Sequence, residues 1–169
     1  MPSTGTSVYP GISLILLDIR SAENVGAIFR TADGAGAGKI YLAGYTPAPV
    51  DRFGRPDPKI AKTALGAEKT IPWERAEHVS ALIRTLKEAD TRIVAVEQSP
   101  DAVPYTEWKP QFPLALILGN EVEGVPKEVL GMCDEAVEIP MRGEKESLNV
   151  SVATGIILYK ASESLTGYS

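Results

Sequence analysis

The amino-acid sequence predicts one α/β domain, with a mainly parallel sheet and helices on both faces. Three observations carry this prediction. Short, continuously apolar runs are typical of buried strands, amphipathic stretches lie between them, and 169 residues suit a single domain. Strands that alternate with helices indicate a parallel sheet, because each crossover helix returns the chain to the edge where the previous strand began.

The predicted elements of the first half follow in order. ISLILLDI, from Ile12, is too continuously apolar for a half-exposed strand and predicts a buried one. Residues 24–35 predict a helix with Ile28, Ala32 and Ala35 on one face, and a glycine-rich segment ends it. KIYLAG is the second predicted strand. TPAPVDRFGRPDPK is rich in proline, glycine and charge, so it predicts an exposed loop.

The second half continues the alternation. Residues 59–67 predict a short helix, and residues 77–89 predict a clearly amphipathic one. RIVAVE, LALILG and EAVEIPM follow as strands, with a helix starting at Pro126 between the last two. The final segment, SLNVSVATGIILYK, predicts a helix that is apolar on nearly every side.

Composition excludes several kinds of site. The net charge of −5 gives no support to nucleic-acid binding by bulk charge, although a local basic patch stays open. One cysteine, Cys133, allows neither an internal disulfide nor a cysteine-based metal cluster, and one histidine, His78, allows neither a histidine metal site nor a histidine-based triad. The sequence has no signal-peptide pattern and no membrane-spanning apolar run, so we expect a soluble, cytoplasmic protein.

The segment from Gly119 to Gly124 follows a predicted strand, and ligands of open α/β sheets bind at the carboxyl ends of strands. It is neither a GxGxxG motif nor a P-loop. The carboxylate of Glu121 would repel a phosphate, so the loop argues against a nucleotide polyphosphate and suits a positively charged small molecule. A plain strand-to-helix turn with solvated acids is the alternative.

Two further polar segments mark helix starts. Ser147-Leu148-Asn149 precedes the last helix, where unpaired backbone N–H groups can hold a ligand, although Ser and Asn are also ordinary N-cap residues. Arg30 follows Asn24 by about two turns, which predicts that both lie near one helix face. The guanidinium of Arg30 is suited to a phosphate or ribose oxygen; the alternative is an N-cap and a surface cation.

Together these segments resemble the three motifs of the TrmH-type (SpoU) RNA 2′-O-ribose methyltransferases, of the S-adenosylmethionine-dependent SPOUT class. The motifs are NVGAIFRTADGAGAGKIYL, LILGNEVEGVP and IPMRGEKESLNVSVATGI, in the family's order and spacing. KTALGAEKTIPW, from Lys62, resembles the segment between the first two. The resemblance covers essentially the whole chain. It implies a deep C-terminal trefoil knot and one methyltransferase domain over residues 1–169, with no appended RNA-binding domain.

The resemblance also implies the site. S-adenosylmethionine would bind, bent, against the knotted loops, and no metal is expected. The implied cofactor-binding residues are Val96, Glu97, Leu118, Gly119, Asn120, Gly124, Ile139, Met141, Ser147, Leu148 and Asn149. The implied catalytic residues are Asn24, Arg30, Glu121, Ser147 and Asn149. The candidate RNA-binding cations are Arg20, Arg30, Arg52, Arg55, Lys59 and Lys62.

Arg30 is implied to lie beside the ribose 2′-hydroxyl. Because an arginine side chain offers hydrogen-bond donors and no acceptor, it is a poor general base. We therefore expect Arg30 to clamp the adjacent phosphate and stabilise the forming alkoxide, while the phosphate or a water takes the proton. Asn24, Ser147 and Asn149 would orient the ribose and the loops. Glu121 would order the cofactor loop and the side chains of the first motif.

The resemblance implies a homodimer with its active site near the interface. The last helix agrees with this, because one apolar face can pack on the core while another needs a partner. The expected substrate is RNA, with tRNA preferred over rRNA. Two alternatives stay open: a catalytically inactive RNA-binding or assembly protein on the same fold, and an α/β module for another small nucleotide. The retained catalytic candidates argue against the first, and the absence of a phosphate-cradling loop argues against the second.

Overall fold

The computed structural model describes residues 11–166, in which seven strands form one sheet of order β3-β2-β1-β6-β4-β7-β5. All pairings between these strands are parallel. The strands are β1 (Ile12–Leu17), β2 (Lys39–Ala43), β3 (Trp73–Ala76), β4 (Arg92–Val96), β5 (Val103–Pro104), β6 (Leu114–Leu118) and β7 (Glu135–Glu138). The helices are α1 (Ala22–Ala35), α2 (Pro58–Ala64), α3 (Ala67–Thr70), α4 (Val79–Glu88), α5 (Lys127–Leu130) and α6 (Val150–Thr166).

The interior strand β1 contributes side chains to both faces of the sheet. Side chains alternate along a strand, so Ile12, Leu14 and Leu16 pack into the core shared with α1, α2 and α6. Ile15 and Leu17 point the other way, into the core shared with α4 and α5. The predicted parallel sheet with helices on both faces is therefore confirmed. The implied knot stays a prediction, because strand order alone does not define the threading of the chain.

The first helix, α1, begins and ends at residues that satisfy its backbone. Ser21 is the N-cap, and its hydroxyl accepts a hydrogen bond from the backbone N–H of Asn24 at 3.1 Å. Asn24 is therefore not the N-cap, which corrects that alternative for its role. At the other end Gly36 adopts a φ of 82°, in the left-handed region where glycine is favoured.

Close packing of α1 on α2 depends on Gly26. A Cβ at this position would overlap the hydroxyl oxygen of Thr63 and the carbonyl oxygen of Ile60. The two helices can therefore approach only because position 26 lacks a side chain. This contact fixes α2 and the loop before it against the first motif.

Three details differ from the sequence-based expectations. The strands β3 and β5 were not expected, because WERA has no apolar period and Val103–Pro104 is only two residues long. The helix expected over residues 59–67 divides into α2 and α3, because Leu65 and Gly66 adopt φ angles of 52° and 97° that interrupt helical hydrogen bonding. The helix expected at Pro126 is a single turn.

Candidate functional site

The carboxyl ends of β4, β6 and β7 open into a cavity of about 470 Å³. Its wall includes Val96 at the end of β4, Leu118 at the end of β6 and Glu138 at the end of β7. The segment that leads into α6 forms another side. Every residue implied as cofactor-binding lines this one cavity: Val96, Glu97, Leu118, Gly119, Asn120, Gly124, Ile139, Met141, Ser147, Leu148 and Asn149.

The cavity wall is acidic. Among the described residues that line it there are five glutamates and neither a lysine nor an arginine. Such a lining disfavours a ligand with several phosphates and favours a cation, because no basic side chain is present to neutralise a phosphate. The glutamates are Glu97, Glu121, Glu123, Glu138 and Glu146.

Glu121 lies in the loop that follows β6, residues 119–124, which we call the β6 loop. Its carboxylate joins this loop to the start of α1. It accepts hydrogen bonds from the backbone N–H groups of Arg20 at 2.9 Å and Ser21 at 3.0 Å, and from the side-chain amide of Asn24 at 3.3 Å. Partial burial alone would raise the pKa of Glu121, but these hydrogen bonds outweigh it and hold the pKa below its ordinary value. Glu121 therefore stays ionised at neutral pH and acts as a fixed acceptor.

A hydrogen-bonded chain continues from Glu121 to the last motif. The amide nitrogen of Asn149 donates to the side-chain oxygen of Asn24 at 3.2 Å. The side-chain oxygen of Asn149 accepts from the backbone N–H of Ser151 at 2.8 Å, so Asn149 also caps α6. Asn149 therefore has the N-cap role considered from sequence, and it also contacts the first motif, which the sequence did not indicate.

The side chain of Asn120 is fully used in holding its loop. Its oxygen accepts from the backbone N–H groups of Val122 and Glu123 at 2.8 and 2.9 Å. Its nitrogen donates to the carbonyl oxygen of Asp18 and the hydroxyl of Tyr45 at 2.9 and 2.8 Å. Since a primary amide offers two donors and two acceptor lone pairs, Asn120 shapes the cavity and has no side-chain group left for a ligand.

Two further contacts close the cavity wall, and one hydroxyl remains available. Glu97 accepts from the backbone N–H of Val125 at 2.7 Å, which joins β4 to the segment after β6. The amide of Gln98 donates to the carbonyl oxygen of Glu146 at 2.8 Å and holds the segment before α6 in place.

The hydroxyl of Ser147 makes no hydrogen bond within residues 11–166, so it can bind a ligand.

The cavity also has lining residues to which the sequence analysis assigns no individual role. Five of them lie inside the second and third motifs, so the motifs already place them near the site: Val122, Glu123, Glu146, Val150 and Ala153. The other three lie outside the motifs, and their adjacency to implied residues is the only sequence signal that would have found them: Gln98, Val137 and Glu138.

Arg30 lies outside this cavity, which corrects the expectation that it shares a helix face with Asn24. Six residues of α-helix at about 100° each leave the two side chains about 120° apart around the axis. Arg30 instead borders a second, shallow groove together with Lys62 of α2 and Tyr159 of α6. Within one chain, the structure does not bring Arg30 to the other catalytic candidates.

The candidate RNA-binding cations lie on the exposed surface around the first motif and the segment from Arg52 to Lys62. Arg55 is paired with the carboxylate of Asp51 at 2.8 Å. The remaining candidates make no ion pair within residues 11–166, so their charges are available to an anionic partner: Arg20, Arg30, Arg52, Lys59 and Lys62.

Other chemistry is limited in the described part of the chain. Burial raises the pKa of the Cys133 thiol to about 11, so Cys133 is protonated at neutral pH and is a poor nucleophile. Between residues 11 and 166 no group of three His, Cys, Asp or Glu side chains is arranged to hold a metal ion. No helix in that range combines the length and apolarity needed to cross a bilayer.

The fold and the cavity define a parallel α/β domain with a cavity at the carboxyl ends of its strands, which is where ligands of such sheets bind. Loops from three distant segments of the chain line this cavity. The sequence model of the SpoU rRNA Methylase family matches residues 11–159, and the chain belongs to this family.

Two of the similar proteins are longer than this chain. The chain is 38% identical over 154 residues to the 23S rRNA (guanosine-2′-O-)-methyltransferase RlmB of Ralstonia nicotianae, a match that covers 90% of this chain and 58% of that one. The AdoMet-bound rRNA methyltransferase of Sinorhizobium meliloti is 33% identical, with a TM-score of 0.81, over 92% of this chain and 57% of that one. The chain thus spans somewhat more than half of these relatives.

A third similar structure has almost the same extent as this chain. It concerns the 2-OH methylation of C/U34 on tRNA, and it is 27% identical with a TM-score of 0.78. The match covers 94% of this chain and 98% of that one.

Proposed function

We propose that this chain is an S-adenosylmethionine-dependent RNA 2′-O-ribose methyltransferase. The observation that carries the proposal is the single cavity to which segments of all three motifs contribute, with an acidic wall at the carboxyl ends of the strands. Family membership supports the same reaction class.

The cavity fits S-adenosylmethionine in size and chemistry. Its volume of about 470 Å³ lies within the usual range for small-ligand sites. Apolar side chains from Val96, Leu118, Ile139 and Leu148 suit an adenine ring, and the glutamate-rich wall suits the positive sulfonium. When bound, the cofactor supplies an electrophilic methyl group, and the residues of the chain align the ribose hydroxyl with it.

Asn24, Ser147 and Asn149 would orient the ribose and the loops. Glu121 keeps the side chain of Asn24 and the start of α1 in place through its hydrogen bonds. Arg30 would bind the adjacent phosphate and stabilise the developing alkoxide, with the proton passing to the phosphate or to a water.

A homodimer would complete the site, because Arg30 is not at the cavity of its own chain. The outer face of α6 exposes Val152 and Tyr159, each 51% exposed, and Leu148 continues that face to the cavity. Tyr159 borders the groove of Arg30. The exposed face of α6 therefore extends from the cavity to the groove of Arg30. A twofold contact along this face would turn Arg30 of the partner subunit toward the cavity.

The proposed substrate is ribosomal RNA in the cytoplasm. The curated relative from Ralstonia nicotianae is named for 23S rRNA, which leans against the tRNA preference drawn from the sequence. Transfer RNA is the second candidate, because the similar structure of nearly the same extent concerns tRNA.

Two measurements test the proposed function. Calorimetry with S-adenosylhomocysteine should give saturable binding by the native assembly, whereas no binding would favour the inactive RNA-binding or assembly protein. Mapping of 2′-O-methyl groups in total RNA from cells with and without the gene should then reveal a lost site in rRNA. A lost site in tRNA would select the second candidate, and an unchanged map would refute the activity.

A further inference from the structure

A hydrogen-bonded hairpin precedes α2, over residues 50–56. Val50 and Pro56 form an antiparallel bridge, and the backbone N–H of Asp51 donates to the carbonyl oxygen of Arg55 at 3.0 Å. The carboxylate of Asp51 accepts from the backbone N–H of Phe53 at 2.8 Å and from the backbone and side chain of Arg55 at 3.0 and 2.8 Å. The carboxylate of Asp51 thus holds Phe53 and Arg55 in place within the hairpin.

The tip of this hairpin presents an aromatic ring to solvent. Phe53 is 67% exposed. The guanidinium carbons of Arg52 and Arg55 lie 4.8 and 5.1 Å from the centre of the ring, within the range of cation–π attraction. Arg52 makes no ion pair within residues 11–166, so its charge is not neutralised by the protein.

The hairpin leads directly into α2, which carries two of the candidate RNA-binding cations. Asp57, which follows it, caps α2 by accepting from the backbone N–H of Lys59 at 2.9 Å. α2 then carries Lys59 and Lys62 on exposed positions, and Lys62 shares a groove with Arg30. A strand of RNA bound along these cations would run toward the ring of Phe53.

We propose that Phe53, flanked by Arg52 and Arg55, stacks against an unpaired base of the RNA substrate. Aromatic rings and guanidinium planes are the side chains on which unstacked bases lie. The nearby cations that make no ion pair within residues 11–166, Arg52, Lys59 and Lys62, are available to bind the phosphates. A duplex cannot use this element, because its bases are already stacked on one another. The inference rests on the proposed function and adds that the substrate presents a single-stranded nucleotide at this hairpin.

Binding of a labelled RNA tests the proposal in the full-length protein. The probe is a fluorescein-labelled single strand of mixed sequence, compared by anisotropy with the same strand annealed to its complement. Phe53→Ala should weaken binding of the single strand by about 5- to 150-fold and leave the duplex unchanged, and Phe53→Trp should retain the single-strand affinity. Leu65→Ala is the matched control, because Leu65 is 66% exposed in the same region and has no cation over it.

Phe53→Trp also gives a direct signal. Its tryptophan fluorescence should fall on addition of the single strand by more than that of the wild-type protein, because a stacked base quenches the ring. Unchanged single-strand binding by Phe53→Ala, an equal loss on both probes, or no binding of the single strand by the wild type would overturn the proposal.

Two controls separate this proposal from neighbouring ones. Light scattering should give the same mass for Phe53→Ala and the wild type; a lower mass for the variant would assign Phe53 to contact between copies and overturn the proposal. S-adenosylhomocysteine should bind Phe53→Ala and the wild type equally. Retained cofactor binding with a failed stacking test would leave the proposed function standing.

Discussion

Replacement of Glu121 by glutamine should weaken the join between the β6 loop and α1. One carboxylate oxygen accepts from the N–H of Arg20 at 2.9 Å, and the other accepts from the N–H of Ser21 at 3.0 Å. Glutamine has one acceptor oxygen, and its amide group would face the second donor with another N–H. One backbone N–H near the start of α1 would therefore lose its partner.

The expected loss can be estimated from this one hydrogen bond. A hydrogen bond to a charged group contributes about 1.5–3 kcal/mol, and the partial exposure of Glu121 lowers the expected cost to about 1–2 kcal/mol. For a domain of this size, that corresponds to a fall in melting temperature of about 2–8 °C.

The effect should depend on pH in a defined direction. The pKa of Glu121 is lower in the folded chain than in the unfolded one. Its carboxylate therefore stabilises the fold fully above the unfolded value of about 4.3, and this contribution is lost as the pH falls through the folded value. The difference between Glu121→Gln and the wild type should be constant near neutral pH and should shrink below about pH 4.

Thermal unfolding followed by circular dichroism measures this difference, with Glu123→Gln as the matched control. Glu123 lies in the same loop and carries the same charge, but its side chain makes no hydrogen bond within residues 11–166. Equal melting temperatures for Glu121→Gln and Glu123→Gln would refute the reasoning. So would a stability difference that persists unchanged into acid.

Four other outcomes are expected. Arg30→Ala should keep its cofactor affinity, and its single-turnover rate of methyl transfer should fall about 10²–10³-fold. Arg30→Lys should also lose most of this rate, because an ammonium cannot replace the planar guanidinium. A near-normal rate in Arg30→Ala would show that Arg30 is only a surface cation. Gly119→Ala should weaken S-adenosylhomocysteine binding about 10-fold, because its Cβ would lie 2.5–2.7 Å from the backbone of Gly124 and Val125. Gly131→Ala should not weaken it, because the nearest contact of its Cβ would be at 3.5 Å. Equal affinities of the two variants would refute this prediction. Light scattering should give a dimer for the wild type and a monomer for Val152→Arg, and a wild-type monomer would remove the proposed interface. Alkylation of Cys133 at pH 7 should be roughly 100-fold slower than that of a free cysteine, and rapid labelling would contradict the raised pKa.

The sequence predicts those parts of the fold that carry a continuous apolar run or a regular amphipathic period. The strands β1 and β6 are buried at every position and apolar at every position except Ser13, so their sequences indicate buried strands clearly. The strand β3 lies at one edge of the sheet, where no residue of WERA is fully buried and an apolar pattern is not required. Strand order was beyond the sequence, because it depends on pairings between distant segments.

The site was predictable where a motif names its residues and not where geometry assigns their roles. The family resemblance identified residues that line the cavity. Nothing in their spacing shows that the side-chain nitrogen of Asn120 donates both of its hydrogen bonds within the protein, to Asp18 and Tyr45, which are 102 and 75 residues away. Arg30 and Asn24 are six residues apart, which is less than two full turns of an α-helix, so their side chains lie on different faces. Treating this spacing as two whole turns gives the wrong face.

The position of β6 has a consequence for synthesis of the protein. It lies between β1 and β4 but is made after both. During translation, the edge of β1 that later pairs with β6 therefore waits without a partner for roughly 5–20 s at usual elongation rates. An unpaired apolar edge attracts other strands, so rapid overexpression should favour aggregation of nascent chains before the ligand cavity exists.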